Sequence, residues 1–95
     1  ALGAYRKLNT LDSTWADPYY NQGYVHLLIT QELDSAIYYF DKATECDPGY
    51  FQAYNNLGLA YETKGDIDNA KKAYQRAVEA NPNFQLAKDN LNRLQ

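Results

Sequence analysis

Few residues in this chain are of the types that make or break bonds, and their spacing does not gather them into a reacting centre. There is one histidine, His26, and one cysteine, Cys46. A bound transition metal draws on several His, Cys or carboxylate ligands, so this pair makes no metal set. Cys46 stands between Glu45 and Asp47. A reactive thiolate needs an electropositive setting, which two acids deny, so Cys46 is expected as a buried, inert thiol. Asp34, Asp66 and Asp68 could be paired for acid–base work. Each, however, stands beside a break between segments, where Asp serves as a turn or cap residue. No nucleophile lies beside a base, and no glycine-rich loop is built to cradle phosphate. The residues therefore argue for a protein that is not an enzyme and that carries no cofactor. The side chains left to do chemistry are hydrogen-bonding asparagines and ten tyrosines.

Those side chains recur at a fixed interval. Ala36-Ile-Tyr-Tyr-Phe-Asp-Lys-Ala43 runs on to Asp47-Pro48, and Ala70-Lys-Lys-Ala-Tyr-Gln-Arg-Ala77 runs on to Asn81-Pro82, a spacing of 34 residues. Tyr19 and Tyr54 are in register, as are Gly23 and Gly58, and Trp15, Tyr50 and Phe84. So are Asn21, Asn56 and Asn90. The spacing is 35 in the earlier part, because the first unit carries one extra residue between Gly23 and Ala36. Upstream, Ala1, Tyr5, Leu8, Asp12 and Ser13 fall where Ala36, Phe40, Ala43, Asp47 and Pro48 would. Self-similarity of this length means stacked supersecondary units whose core is built from neighbour contacts.

At 95 residues the chain is one domain. Its net charge is −3. Residues 1–50 hold three Lys/Arg against seven Asp/Glu, and residues 51–95 hold six against five. An acidic front half argues against nucleic acid, which needs clustered cations to neutralise phosphates. The tyrosines lack the basic interleaving of a single-strand groove. No apolar run approaches the roughly 20 residues of a bilayer span, and no charged-then-apolar leader is visible. Membrane insertion is not expected, and the compartment stays open. One cysteine leaves no intrachain disulfide.

The punctuation predicts helices and short breaks. Asp17-Pro18 suits a helix start. Gly65-Asp66 marks a tight turn, with Asp68 placed to cap the next helix and Asp34 as its counterpart. Pro48 and Pro82 stop the helices before them. The expectation is an all-α chain of about six helices, roughly 1–12, 17–30, 34–46, 51–64, 68–80 and 84–94, with consecutive helices antiparallel. Gly23 and Gly58 sit mid-helix, where glycine costs about 1 kcal/mol against alanine. They are expected at close approaches to the small positions Ala36/Ala43 and Ala70/Ala77. Tyr19, Phe40, Tyr54 and Tyr74 supply the bulk.

Tyr54-Asn-Asn-Leu57-Gly58-Leu-Ala-Tyr61, then Gly65-Asp66, Ala70, Tyr74, Ala77 and Asn81-Pro82, resembles a complete tetratricopeptide repeat (TPR). Tyr19 through Pro48 resembles a second copy, with Gln22 in place of the usual leucine, His26 in place of the usual tyrosine, and the one-residue insertion. Residues 1–13 resemble the second helix of a repeat, and residues 84–95 the first helix, with Asn92 where glycine would stand. The resemblance divides the chain into a partial repeat over 1–13, repeats over 16–50 and 51–84, and a capping helix over 85–95. It implies a right-handed superhelix of antiparallel helix pairs whose first helices line a concave groove. It also implies a role as a protein-interaction scaffold that binds a peptide or helix of another protein, with neither catalysis nor cofactor. His26, at a packing site, is expected to be structural.

With the packing positions removed, the first helices leave rows one repeat apart: Asp17/Gln52/Leu86, Tyr20/Asn55/Asp89, Asn21/Asn56/Asn90 and Tyr24/Leu59/Arg93. Asparagine offers two donors and an acceptor, suited to an extended peptide backbone. Tyr20 and Tyr24, four apart, offer flat apolar area with a polar tip. The expected partner-binding residues are therefore Asp17, Tyr20, Asn21, Tyr24, Gln52, Asn55, Asn56, Leu59, Asn90 and Arg93. The bland alternative is that the asparagines are soluble filler. A carboxylate clamp of the kind some TPRs use is not reproduced: Asn56 fits, but Arg93 is the lone cation in these rows. Trp15, Tyr50 and Phe84 are expected as wedges between helix pairs. Ala87, Leu91 and Leu94 give the last helix one apolar face, as a cap requires. The first segment carries Leu2, Tyr5, Leu8 and Leu11 with no helix before it. The alternative function is accordingly homo-oligomerisation through that edge; the other reading is that the chain is a piece of a longer array.

Overall fold

Asp47 and Asn81, one repeat apart, end their helices in the same way. At each, the N–H donates back into the helix, to the carbonyl of Ala43 or Ala77, at 2.9 Å. At each, the side-chain Oδ1 then accepts from a backbone N–H two residues on, Gly49 at 2.9 Å and Asn83 at 3.1 Å. The intervening proline cannot continue the helix. The turn closes on an aromatic residue, Tyr50 or Phe84, which donates its N–H to the Asp47 or Asn81 carbonyl at 3.0 Å. Two chemically equivalent stops 34 residues apart give two equivalent reversals, and these set the architecture.

The computed structural model describes residues 13–95. A 3₁₀ turn, Ser13–Trp15, leads into α1 (Ala16–Val25), which continues as a π-helical turn, His26–Thr30. Then come α2 (Leu33–Cys46), α3 (Phe51–Lys64), α4 (Ile67–Ala80) and α5 (Gln85–Leu94). Among the described residues there is no strand. Each helix packs on the next in chain order, and α1/α2 and α3/α4 are the two antiparallel pairs of a right-handed superhelix. The helix expected over 1–12 lies outside the described residues.

The extra residue of the first unit has a clear place. α3 ends at Lys64, and Gly65 reverses the chain at φ 93°. The matching helix absorbs one more residue by widening its last turn to the π form, then reverses at Gln31 with φ 57°. A π-helix is rare and takes this form, a single widened turn within a helix. The helix expected over 17–30 is therefore α-helical only to Val25.

Three capping expectations need correction. Trp15, not Asp17, is the N-cap of α1, and it makes no side-chain cap bond. Asp66, not Asp68, caps α4: its Oδ1 accepts from the Asn69 N–H at 3.3 Å and its Oδ2 from the Asn69 side chain at 2.7 Å. The Asn69 side chain, aided by its N–H, holds the Asp66 carboxyl below its ordinary range. Asp68 instead lies in the first turn, where a negative charge meets the positive end of the helix dipole. Asp34 likewise caps nothing and pairs with Lys64 of α3.

The core is made of rings set against glycines. Phe40 and Tyr74 are fully buried, as are Ala36, Ala43, Ala70 and Ala77 around them. A methyl placed on Gly23 would lie 2.8 Å from the Phe40 ring, and one on Gly58 would lie 2.6 Å from the Tyr74 ring. The glycines thus face the rings, with the alanines buried around them. Tyr54 is buried and Tyr19 half-buried. Ala87 and Leu91 of α5 are buried against the second pair.

Candidate functional site

The first helices, α1, α3 and α5, stand side by side, and polar side chains join them. Tyr20 of α1 accepts from the Asn56 side chain of α3 at 2.9 Å. Asn55 of α3 accepts from the Asn90 side chain of α5 at 3.0 Å. Arg93 of α5 grips both oxygens of Glu62 on α3, and the Tyr74 hydroxyl donates to the same carboxylate at 2.8 Å. The Arg93 bonds foremost, with that hydroxyl, hold the Glu62 carboxyl below the ordinary glutamate range against the opposing effect of burial. Burial above all, then the Glu62 contact, raises the Tyr74 hydroxyl.

These bonds sort the expected partner-binding residues. Asn21, Gln52 and Asp17 are exposed, and Asp17 accepts from the Tyr50 hydroxyl at 2.7 Å. Tyr24 is 45% exposed, with its ring 6.0 Å from that of Tyr20. Tyr20 is half-buried, stacked 4.9 Å from Tyr50 and tilted against Phe40 at 5.7 Å. Burial raises its hydroxyl, and the Asn56 bond opposes the rise. Leu59 is half-buried against the Ala70, Tyr74 and Leu91 cluster.

Asn55 requires a correction: it is 2% exposed, buried between α3 and α5, and is not on the open face. The asparagine row also divides. Asn21 is open, whereas Asn56 and Asn90 each spend an amide donor on the neighbouring repeat. Arg93 is an ion-pair partner of Glu62, not an uncommitted cation. The wedge positions behave as the repeat suggests at two joints: Tyr50 stacks on Tyr20, and Phe84 meets Phe51 edge-on at 4.8 Å. Trp15 is 56% exposed beside Tyr19, and the joint it would wedge involves residues outside those described.

His26 stacks parallel on Tyr39, with ring centres 5.4 Å apart. Its Nδ1 lies 3.0 Å from the Thr30 hydroxyl and 3.2 Å from Glu32. It fastens the π-turn and is not grouped with metal ligands; among the described residues no cluster of three His, Cys, Asp or Glu side chains is poised to hold an ion. Cys46 is buried.

Two apolar hollows adjoin at the far end of α1. Asn21, Tyr24, Val25, Leu28 and Ile29 line the first, about 310 Å³. Leu27, Leu28, Gln31, Leu33, Leu59 and Thr63 line the second, about 430 Å³, which lies between the two repeats. Sequence reasoning found Asn21, Tyr24 and Leu59 but missed the leucines. The available signal was the run Leu27-Leu28-Ile29 in a helix, since three consecutive apolar side chains cannot all face one core.

Known families and structures agree with this geometry. Residues 27–65 match a family model described as "TPR repeat", and residues 51–84 one described as "Tetratricopeptide repeat". A chloroplastic tetratricopeptide repeat domain-containing protein, PYG7 of Arabidopsis thaliana, is 36% identical over 73% of this chain and 23% of its own length. A small glutamine-rich tetratricopeptide repeat-containing protein 2 of Mycosarcoma maydis is 33% identical over 96% of this chain and 26% of its own length. The crystal structure of MamA superposes with a TM-score of 0.81 at 32% identity, covering 88% of this chain and 48% of that one. The chain spans less than half the length of each of these relatives. No helix among the described residues is long and apolar enough to cross a membrane. With ring-on-glycine packing in both pairs, the Asp/Asn-Pro stops and these matches over residues 27–84, the chain belongs to the tetratricopeptide repeat family.

Proposed function

We propose that this chain is a protein-interaction module whose α1/α3/α5 face forms a groove for a peptide or helix of another protein. One observation carries the reading: Asn21, Tyr24 and Gln52 remain open, Asn21 and Tyr24 at the edge of an apolar hollow, while Tyr20, Asn55, Asn56 and Arg93 are committed to joining the helices. The committed residues hold the face rigid, so an incoming segment meets a formed surface and spends little on ordering it. Asn21, Gln52 and the spare amide hydrogen of Asn56 offer hydrogen bonds. Tyr24 offers a ring face and a hydroxyl. The reading assigns no catalysis and no cofactor to the chain. The alternative, self-association through residues 1–12, rests on a segment outside the described residues, and no observation favours it.

Site-specific photo-crosslinking tests the groove. A photoreactive residue at Gln52, on α3, should capture a partner protein in the native cell. The same residue at Gln75, exposed on α4, should not. Capture from Gln75 with none from Gln52 would place the partner on the opposite face and end the groove reading.

A further inference from the structure

The first repeat ends its inner helix on Leu27-Leu28-Ile29-Thr30, where the second ends on Glu62-Thr63-Lys64. The π-turn carries this apolar run. Leu27 packs against the core cluster, but Leu28 is 57% and Ile29 75% exposed. Leu28 is shared by both hollows and so forms the ridge between them. The between-repeat hollow opens on Leu27, Leu28, Leu33 and Leu59, with Thr63 and Gln31 at its polar edge.

Charge at the rim is biased. Glu32 and Asp34 flank Leu33 in the chain and are 63% and 83% exposed, against Lys64 at 49%. Lys64 pairs with Asp34, whereas Glu32, 3.2 Å from the His26 Nδ1, has no lysine or arginine against it among the described residues. The nearby asparagines give little ladder for an extended backbone, because Asn56 and Asn90 each spend a donor within the protein. A helix brings its own backbone hydrogen bonds and asks the groove only for pockets and rim charges.

We infer that the π-turn and its leucines form a seat for an amphipathic helix of a partner, which places two apolar side chains one turn apart on either side of Leu28 and sets a lysine or arginine against Glu32. The inference rests on the groove reading and adds the class of partner and the residues that select it.

The test measures fluorescence anisotropy of the full 95-residue chain with a labelled synthetic helical peptide that carries leucines at i and i+4 and lysines beside them. Leu28→Ser removes the ridge, and Thr63→Arg fills the hollow and adds a positive charge to it; both sites are exposed, and circular dichroism checks that both variants fold. Each is expected to weaken binding about tenfold or more, the scale of losing a buried leucine contact, while Lys71→Ala on α4 leaves it unchanged. Exchanging the peptide's lysines for glutamates should weaken binding, and exchanging its leucines for serines should abolish it.

Wild-type affinity in both hollow variants, with Gln52 still capturing a partner, would overturn this seat and leave the groove reading standing. Equal binding of the lysine and glutamate peptides would overturn the basic partner. Tighter binding by a chain carrying Leu2→Ser and Tyr5→Ser would mean that residues 1–12 occupy the seat instead. A concentration-dependent dimer abolished by Leu28→Ser would assign it to a second copy of the chain. Either result overturns the inference.

Discussion

Gly58→Ala is the most direct test of how the helix pairs are held. In an exposed helix interior this change gains about 1 kcal/mol, because alanine gives up less conformational freedom. Here the new methyl would lie 2.6, 2.7 and 2.9 Å from three carbons of the Tyr74 ring. Carbon atoms prefer roughly 3.5–4.0 Å, so the ring or α3 must move by about 1 Å. The ring has nowhere easy to go: Tyr74 is fully buried with Ala70, Ala73 and Ala77 on its own helix. Its hydroxyl is tied to Glu62 at 2.8 Å, and Arg93 holds Glu62. Overpacking of this kind costs about 1–3 kcal/mol, and stretching the hydroxyl bond adds a share of the about 1 kcal/mol it contributes. The net expectation is a loss of about 1–2 kcal/mol, or roughly 4–15 °C in melting temperature for a domain of this size.

Urea titration followed by circular dichroism would measure it, with an unchanged slope showing that only stability moved. Gly23→Ala is the internal comparison. Its nearest approach is 2.8 Å, and the ring it meets, Phe40, has no hydroxyl to tether it, so its cost should be smaller. In a Tyr74→Phe background the Gly58→Ala penalty should shrink, the signature of coupled sites. If Gly58→Ala is as stable as the parent protein, or more so, propensity has won. The account of glycine as the seat of a fixed ring is then wrong.

Other consequences follow from the same contacts. Gln31→Gly should stabilise the chain by about 0.5–1 kcal/mol, because the left-handed conformation costs a non-glycine residue about 1–2 kcal/mol and the freer unfolded chain returns part of the gain; a lower urea midpoint would refute it. The folded Glu62 carboxyl is held below its unfolded value of about 4.5, so its contribution is present above that value and is lost as pH falls through the lower folded value. Acid titration of stability should therefore be shallower below about pH 4.5 in Glu62→Gln than in the parent. Tyr20→Phe removes the acceptor of the Asn56 amide and should cost about 1 kcal/mol, read as a drop in urea midpoint without loss of helix content in the folded state.

Much of the fold was legible because repetition does the averaging that a single motif cannot. Pro48 and Pro82 are each a stop by covalent geometry alone, and their common spacing excluded chance. The glycine positions were equally legible, since a mid-helix glycine asks for a close neighbour. What the sequence did not show was the identity of that neighbour: small-on-small packing and ring-on-glycine packing leave the same pattern of Gly, Ala and aromatic residues. Asp66 and Asp68 were indistinguishable as caps for a similar reason. Either lies within reach of an orphan N–H, and the helix start decided the choice by beginning at Ile67.

The candidate site was less legible because one residue type serves two ends. Asparagines in register suit a peptide backbone, and they suit an adjacent repeat equally well. Donors and acceptors on neighbouring helices find each other before any ligand arrives, which is why Asn55 is buried and why Asn56 and Asn90 face their neighbours. The insertion is the converse case. Within a repeat an added residue must go somewhere, and a loop would have left the groove unchanged. The chain places it inside the helix: the following reversal falls on Gln31, and His26 ties the widened turn to Thr30, Glu32 and Tyr39. The apolar side chains of that turn then have no core left to enter, since Leu27 already meets it. Leu28 and Ile29 stand at the surface, as Thr63 and Lys64 do at the matching end of α3, so the difference between the repeats lies in the apolar side chains that the first one places there. Two repeats built to one plan therefore present different surfaces, and a partner can distinguish their ends.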